Sequence, residues 1–203
     1  FYFSVYARES FLDSGLRMAW KGGEITAVRG KICDANGVPV AWTEIHFDLV
    51  IENDSMSFRK MLELRSSLPF PMEMPSGVSY PVVIRKDLSP EDIQVLERFI
   101  MKYPALKIMS RQERCYIDYP EVRKILGSVK WNGTRLSGVS GLELAGEHKL
   151  RGVNGIYKVM LSPSGKWIDG TFQLERNVQH GVDVILSATV DELKKGASVD
   201  YVY

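Results

Sequence analysis

The chain has 203 residues, of which 45% are hydrophobic and 25% are charged, and its formal net charge is +1. A chain of this length can bury a sizeable core without disulfide staples, and a charge so near zero gives no indication of nucleic-acid binding. No apolar run reaches the roughly 18 residues that a membrane-spanning helix needs.

The N-terminal segment is predicted to be a helix. Apolar residues recur at helical spacing over residues 1–21, and Gly22 and Gly23 then favour a helix end. The chain begins at Phe1 rather than at Met, so we expect an N-terminal piece to have been removed. The aromatic residues of the first six positions either pack on the domain core or lie at a membrane surface just after a lost anchor. The sequence leaves both interpretations open.

A hairpin is predicted next. Strands are expected over residues 24–33 and 38–52, and Asn36 and Gly37 between them are a strong turn signal because both accept a positive φ. Up to residue 110, the same kind of pattern predicts a helix over 56–64, a strand over 80–86, a helix over 90–103 and a strand over 106–110.

The C-terminal half is predicted to mix short helices and strands. They are helices over 119–127 and 142–150, a hairpin over 156–168 and a strand over 181–188. Strands and helices do not alternate as βα units, so the predicted fold class is α+β rather than a doubly wound sheet.

The two cysteines make no disulfide framework, because Cys33 and Cys115 are far apart in sequence. We expect two unpaired, partly buried thiols. An oxidising compartment would allow them to pair, and the sequence does not decide between these states.

No complete set of catalytic or metal-binding residues is found. The three histidines, His46, His148 and His180, lack metal-ligand spacing, and no Cys-x-x-Cys pair or phosphate loop occurs, so neither a metal nor a cofactor is predicted. Ser57 and Lys60 match Ser-x-x-Lys, the nucleophile motif of penicillin-interacting serine enzymes. The companion motifs Ser-x-Asn and Lys-Thr-Gly are absent, and we interpret the match as coincidence.

Residues 29–41 are the first of three stretches that resemble one family. They read Arg-Gly-Lys-Ile-Cys-Asp-Ala-Asn-Gly-Val-Pro-Val-Ala. This resembles the Arg-Gly-x-Ile-x-Asp-Arg-Asn-Gly-x-x-Leu-Ala of class B penicillin-binding proteins, found in their N-terminal, non-catalytic module, the dimerisation or pedestal domain. The spacing is intact, with Ala35 in place of the second Arg and Val40 in place of the Leu.

Two further stretches resemble the same module. Residues 114–116, Arg-Cys-Tyr, are similar to the start of its Arg-x-Tyr-Pro-x-Gly segment, with Ile117 in place of the Pro and Tyr119 in place of the Gly. Residues 138–143, Gly-Val-Ser-Gly-Leu-Glu, match its Gly-x-Ser-Gly-Leu-Glu, and Leu-Arg-Gly follows at 150–152. Downstream, residues 181–186 resemble the strand that leads into the transpeptidase domain.

The three motifs supply structural residues and no catalytic residue. These are Arg29, Gly30, Asp34, Asn36, Gly37, Arg114, Tyr116, Gly138, Gly141 and Glu143. Because Arg carries a fixed charge with a bidentate fork, we expect Arg29 or Arg114 to pair with Glu143 near the junction with a missing domain. The alternative is that each motif serves only its own turn or helix cap.

The resemblance covers roughly residues 24–190 and implies an elongated α+β pedestal of mixed strands, hairpins and short helices. In the implied domain organisation, residues 1–22 are a juxtamembrane helix after a removed membrane anchor. Residues 23–190 are the pedestal, with a β-rich head region over about 50–115, and residues 191–203 begin a truncated C-terminal transpeptidase domain.

The resemblance also implies a function for the parent protein. It would cross-link peptidoglycan by serine acyl transfer in cell-wall synthesis, during division or elongation, while this fragment would be non-catalytic. The parent protein would lie on the extracytoplasmic (periplasmic) face of the bacterial inner or plasma membrane, held by a single-pass anchor. The implied partners are its own C-terminal transpeptidase domain, a membrane-embedded glycan polymerase and division or elongation scaffold proteins, without nucleic acid; a homodimer stays open. The alternative is a free-standing extracytoplasmic binding or scaffold domain with no attached enzyme.

Overall fold

The structure is a computed structural model, and it describes residues 20–72, 80–162 and 168–202. The strands within these ranges are β1 (Trp20–Ile25), β2 (Ile32–Cys33), β3 (Pro39–Ile51), β4 (Val82–Arg85), β5 (Leu106–Tyr116), β6 (Ser128–Trp131), β7 (Leu136–Ser140), β8 (Gly155–Met160), β9 (Gln173–Arg176), β10 (Val184–Leu186) and β11 (Tyr201–Val202). The helices are α1 (Phe58–Ser67), α2 (Pro90–Lys102), α3 (Pro120–Leu126), α4 (Gly141–Ala145), α5 (Glu147–Leu150) and α6 (Val190–Lys194). This mixture of separate sheets and short helices confirms the α+β class.

The described residues form two compact units. The terminal unit comprises the residues up to Thr43 together with those from Cys115 onward, and the central unit comprises Glu44–Arg114. In the ranges that the structure covers, no helix has the length and apolar character that would carry it across a membrane.

The central unit is built on β3, which pairs with β4 on one side and β5 on the other. Helices α1 and α2 contribute to the same apolar core, whose fully buried members include Leu49 of β3, Leu64 of α1 and Leu96 of α2. Helix α2 begins as predicted, because Ser89 accepts from the Asp92 amide and the Asp92 carboxylate accepts from the Ser89 amide.

Helix α1 begins two residues later than the predicted 56–64. The Ser57 hydroxyl accepts a hydrogen bond from the Lys60 amide (3.4 Å), so Ser57 is the N-cap, while the preceding Met56 is buried in the core. The Ser-x-x-Lys match is therefore an exposed helix cap, which agrees with our interpretation of it as coincidence.

The terminal unit contains three groups of strands. One sheet has the order β1-β8-β9, another runs β11-β10-β2-β3, and β6 and β7 form a hairpin. In the second sheet β10 lies parallel to β2, which opposes Val184 to Ile32. The inner face of that sheet packs with helices α3, α5 and α6 in a core that includes Ile32, Leu126, Leu150 and Leu193.

The predicted N-terminal helix is wrong at residues 20 and 21, the part of it that the structure describes. Residues 1–19 lie outside the described residues, but Trp20–Ile25 form strand β1, which is antiparallel to β8. Gly23 is therefore no helix stop. A Cβ added there would lie 2.4 Å from a ring atom of Tyr157, so the glycine lets an aromatic ring pack over the strand. The sequence pattern could not distinguish these two uses of glycine.

Other element boundaries also differ from the predictions. The strand expected over 24–33 is interrupted between β1 and β2, and the helix expected over 142–150 divides into α4 and α5 at Gly146. Strand β8 pairs with β9, further along than the predicted return at 166–168, of which residues 166 and 167 lie outside the described residues. Both cysteines are free thiols, with Cys33 buried and Cys115 partly buried.

Candidate functional site

The first and third motifs meet at a buried ion pair. Arg29 lies between β1 and β2 and is 2% exposed, and Glu143 of helix α4 is fully buried. The Arg29 Nε donates to Glu143 Oε2 at 2.7 Å, and Nη2 donates to the Glu143 carbonyl oxygen at 2.7 Å. The expected pairing of an arginine with Glu143 is therefore present, and Arg29 provides it.

A second carboxylate completes the cluster around Arg29. Its Nη1 donates to Glu147 Oε2 at 2.5 Å and to the Leu136 carbonyl oxygen at 3.5 Å. Glu147 Oε2 also accepts from the Gly138 amide at 2.8 Å. One guanidinium thus joins the segment before β2 to the consecutive elements β7, α4 and α5, which lie more than a hundred residues later in the chain.

Gly138 allows β7 to run close to helix α4. A Cβ added at Gly138 would lie 2.2 Å from the Glu143 carbonyl oxygen, a distance that no real side chain tolerates. That oxygen is also the acceptor for the Arg29 Nη2. Glycine at this position therefore lets strand and helix approach closely enough for the cluster to form. Gly141, at the start of α4, has a φ of +60°.

Asp34 connects the hairpin to the C-terminal segment. It is 1% exposed; Oδ1 accepts from the amides of Asn36 (2.9 Å) and Val38 (2.8 Å), and Oδ2 accepts from the Val190 amide (3.0 Å). Gly37 completes the turn with a φ of +79°. The hairpin predicted from Asn-Gly is confirmed, and one buried carboxylate holds both the turn and the first residue of α6.

Backbone hydrogen bonds support the same arrangement. The Gly30 amide donates to the Leu150 carbonyl at the end of α5 (2.9 Å), and the Ala35 amide donates to the Ala188 carbonyl (3.0 Å). The first motif therefore lies between the third motif and the segment that leads into α6.

The second motif joins the terminal unit through its core. Tyr116 packs against the cluster that contains Ile32 and Val40, and the Arg123 guanidinium carbon lies 3.6 Å from the centroid of the Tyr116 ring. The Ile117 amide donates to the Val40 carbonyl at 3.0 Å. Arg114 is 9% exposed and belongs to the central unit. The part of this motif in the terminal unit thus meets the first motif in an apolar core.

Sequence reasoning missed Glu147 and Asn154. Glu147 was open to prediction, since it stands four residues after Glu143, a spacing that places two residues on one face of a helix. Asn154 is 6% exposed; its Oδ1 accepts from the Ala27 amide (2.9 Å) and its Nδ2 donates to Glu24 Oε2 (2.9 Å). No local pattern marks it, because both partners are more than a hundred residues earlier in the chain.

This cluster is suited to holding backbone segments in place. The Arg29 fork is directed at carboxylate and carbonyl oxygens of the protein itself. Within residues 20–72, 80–162 and 168–202, no group of three or more His, Cys, Asp or Glu side chains could hold a metal ion. The geometry therefore indicates a structural junction.

Comparison with known proteins agrees with the resemblance drawn from the motifs. The family described as "Penicillin-binding Protein dimerisation domain" matches residues 24–186. No curated protein sequence matches the chain significantly.

Solved structures share the fold. A chain of a peptidoglycan synthase complex, reported for its coordination of polymerization and crosslinking, is 22% identical with a TM-score of 0.57, over 91% of this chain and 36% of that one. Penicillin-binding protein 2X from Streptococcus thermophilus is 17% identical with a TM-score of 0.58, over 86% and 30%. A chain of the complex between PBP2 and MreC from Helicobacter pylori is 15% identical with a TM-score of 0.55, over 87% and 37%.

At these identities the likeness shows the fold, and the chain spans about a third of the length of these solved relatives. The family match covers well over half of the chain and includes the first, second and third motifs. The chain therefore belongs to the penicillin-binding protein dimerisation domain family.

Proposed function

We propose that the chain is the non-catalytic pedestal of a class B penicillin-binding protein and that its three motifs align a following transpeptidase domain. The observation that carries this proposal is the junction formed by Arg29, Glu143 and Asp34. Arg29 and Glu143 bind the hairpin segment to α4, and Asp34 binds the start of α6. Among the described residues α6 is the last helix, and in this proposal it leads into the transpeptidase domain.

The parent protein, in this proposal, cross-links peptidoglycan by serine acyl transfer. The family match and the fold of the solved relatives support this assignment. The catalytic serine would belong to the transpeptidase domain. Ser57 is excluded from that role, because its hydroxyl caps an exposed helix and no Ser-x-Asn or Lys-Thr-Gly accompanies it.

The proposed domain organisation follows from the same family. Residues before β1 connect the pedestal to a single membrane anchor on the extracytoplasmic face of the bacterial inner or plasma membrane. Residues 23–190 form the pedestal, with its head in the central unit, and residues 191–203 lead into the transpeptidase domain. The fully buried Leu193 supports a firm attachment of this last segment, because it packs in the core of the terminal unit.

The proposed partners are a membrane-embedded glycan polymerase, a division or elongation scaffold and the protein's own transpeptidase domain. Solved relatives come from a peptidoglycan synthase complex and from a complex with MreC, which supports partners of these kinds. Self-association is a further proposal that analytical ultracentrifugation of the chain tests directly.

Labelling with a fluorescent penicillin tests the proposed function. We expect the product of the complete gene to be acylated at a serine of a Ser-x-x-Lys motif downstream of Tyr203, and the 203-residue chain to remain unlabelled. The same chain with Ser57→Ala is the matched control. A gene that ends at Tyr203, or acylation of Ser57, would overturn the proposal; the first result would favour a free-standing scaffold domain.

A further inference from the structure

The central unit has a sheet face that lies opposite its apolar core. Leu49 and Ile51 of β3 are fully buried in that core, to which helices α1 and α2 also contribute. Side chains alternate along a strand, so the neighbours of these two residues point to the other side of the sheet. We name that side of the strands β4, β3 and β5 the outer face. Strand β3 contributes four side chains to it: Glu44, His46, Asp48 and Val50.

Two ion pairs fix the position of β5 beside β3 on the outer face. Arg111 Nε lies 3.0 Å from Asp48 Oδ2, and Lys107 Nζ lies 3.9 Å from Glu52 Oε2. Lys107 and Arg111 are the same-face neighbours of Met109 along β5, and Asp48 and Glu52 stand in the same relation to the valine midway between them. The two pairs therefore place Met109 directly beside that valine.

An apolar row thus crosses the outer face, with one side chain from each strand. Val50 is the register partner of Val83 on β4, and Met109 of β5 lies on its other side. Val83 is 39% exposed and Met109 is 47% exposed, while Val50 between them is 3% exposed. Single exposed apolar residues are normal on a protein surface, whereas a contiguous apolar group with a polar rim marks an interaction site.

Carboxylates surround the outer face next to this row. His46 Nδ1 lies 2.9 Å from Asp87 Oδ1, and His46 Nε2 lies 3.7 Å and 3.8 Å from carboxylate oxygens of Glu44 and Glu113. The side chains of these three acidic residues are between 49% and 59% exposed. The Arg111 guanidinium contacts Asp87 at 2.8 Å and Glu113 at 2.7 Å. The carboxylates outnumber this guanidinium, so the group keeps a negative charge.

We propose that the outer face binds a protein segment that presents lysine or arginine side chains beside aliphatic ones. The aliphatic side chains would cover the row of Val83, Val50 and Met109. The basic side chains would donate to the half-exposed carboxylates, whose oxygens can each accept more than one hydrogen bond. Charge complementarity selects this occupant, because the carboxylates would repel an anionic lipid surface or a nucleic acid. The inference goes beyond the pedestal assignment and does not depend on it, since it concerns one face of the central unit.

Fluorescence anisotropy with labelled peptides tests the proposal on the 203-residue chain. The probe is an octapeptide of alternating lysine and valine, and the comparison peptides alternate lysine with serine or glutamate with valine. We expect saturable binding of the lysine–valine peptide, about tenfold weaker binding of the lysine–serine peptide, and no binding of the glutamate–valine peptide. Raising the salt concentration from about 0.05 M to about 0.5 M should weaken binding, because salt screens exposed charges.

The double variant Val83→Ser/Met109→Ser should bind the lysine–valine peptide about tenfold more weakly, because it removes the exposed part of the apolar row. The matched control is Met101→Ser/Val182→Ser, which changes the same residue types at positions outside the outer face that are 78% and 62% exposed. It should bind like the wild type, and near-identical melting curves should show that both double variants fold. If the first double variant fails to fold, Met109→Ser alone replaces it.

Three results would overturn the proposal: no saturable binding of the lysine–valine peptide up to about 1 mM, equal binding of the glutamate–valine peptide, or equal loss in variant and control. Self-association of the chain that Val83→Ser/Met109→Ser abolishes would also overturn it, because the outer face would then belong to a second copy. Penicillin labelling of the complete gene product bears on none of these outcomes, so the proposed function is tested separately.

Discussion

Replacing Arg29 by methionine is the sharpest test of the junction. Methionine keeps the length and apolar stem of the side chain, but it removes every N–H of the fork. The fully buried Glu143 carboxylate would then lose the Arg29 cation, and the Glu143 carbonyl oxygen would lose the Nη2 donor. Breaking a buried ion pair from one side destabilises strongly, because the remaining charge stays buried without compensation.

The expected loss is about 3–5 kcal/mol of unfolding free energy. Glu147, whose side chain is 21% exposed, adds little to that figure because water reaches it. With a urea m-value of roughly 2 kcal/mol/M, the unfolding midpoint should fall by about 2 M. Tryptophan fluorescence follows the transition, since Trp42 and Trp131 both belong to the terminal unit.

The double variant Arg29→Met/Glu143→Leu removes both partners of the buried ion pair. Removing the buried carboxylate together with the guanidinium should recover part of the loss, because the remaining Glu147 carboxylate is partly exposed and reached by water. Lys102→Met is the control, since Lys102 pairs with Glu63 on the exposed surface of the central unit, and it should leave the midpoint unchanged. A shift for Arg29→Met no larger than that of the control would refute the reasoning that the buried pair stabilises the junction.

Three further outcomes are expected. Gly138→Ala should destabilise the chain by about 1–3 kcal/mol in thermal or urea unfolding, because the new methyl group overlaps a carbonyl oxygen of the facing helix. Asp34→Asn should speed hydrogen exchange of the Val190 amide severalfold by NMR, because an amide side chain cannot accept hydrogen bonds at both of its ends; unchanged exchange would show that α6 is held by its own cap alone. Burial and the nearby Asp183 raise the pKa of the Cys33 thiol above its ordinary value of 9.0, so Cys33 should react with a disulfide reagent far more slowly than Cys115 at neutral pH. Because the pKa is raised in the folded state, the stability gained by keeping this thiol protonated is complete below pH 9.0 and is lost as the pH rises through the folded-state pKa. Urea unfolding curves of the wild type and of Cys33→Ala, measured at several pH values, test this loss.

Features that depend on neighbouring residues were predictable from the sequence. The Asn36-Gly37 turn and the capped start of α2 both formed as expected, because each rests on backbone preferences and hydrogen bonds within a few residues. The spacing of the three motifs was sufficient to identify the family, which the match over residues 24–186 confirms. The domain organisation and the roles of the motif residues stay predictions that the experiments above address.

Features that depend on distant partners were decided by tertiary structure. The sequence around Gly23 suggests a helix end, whereas in the structure the Tyr157 ring packs over this glycine. Asn154 has no local signal, because its partners Ala27 and Glu24 are more than a hundred residues earlier in the chain. The choice of Arg29 as the partner of Glu143 likewise came from packing, since residues 29 and 143 are brought together only when β7 and α4 fold against the segment before β2. Sequence by itself determined the Asn36-Gly37 turn, the cap of α2 and the family. The buried junction required the close approach of backbone segments, which no local preference encodes.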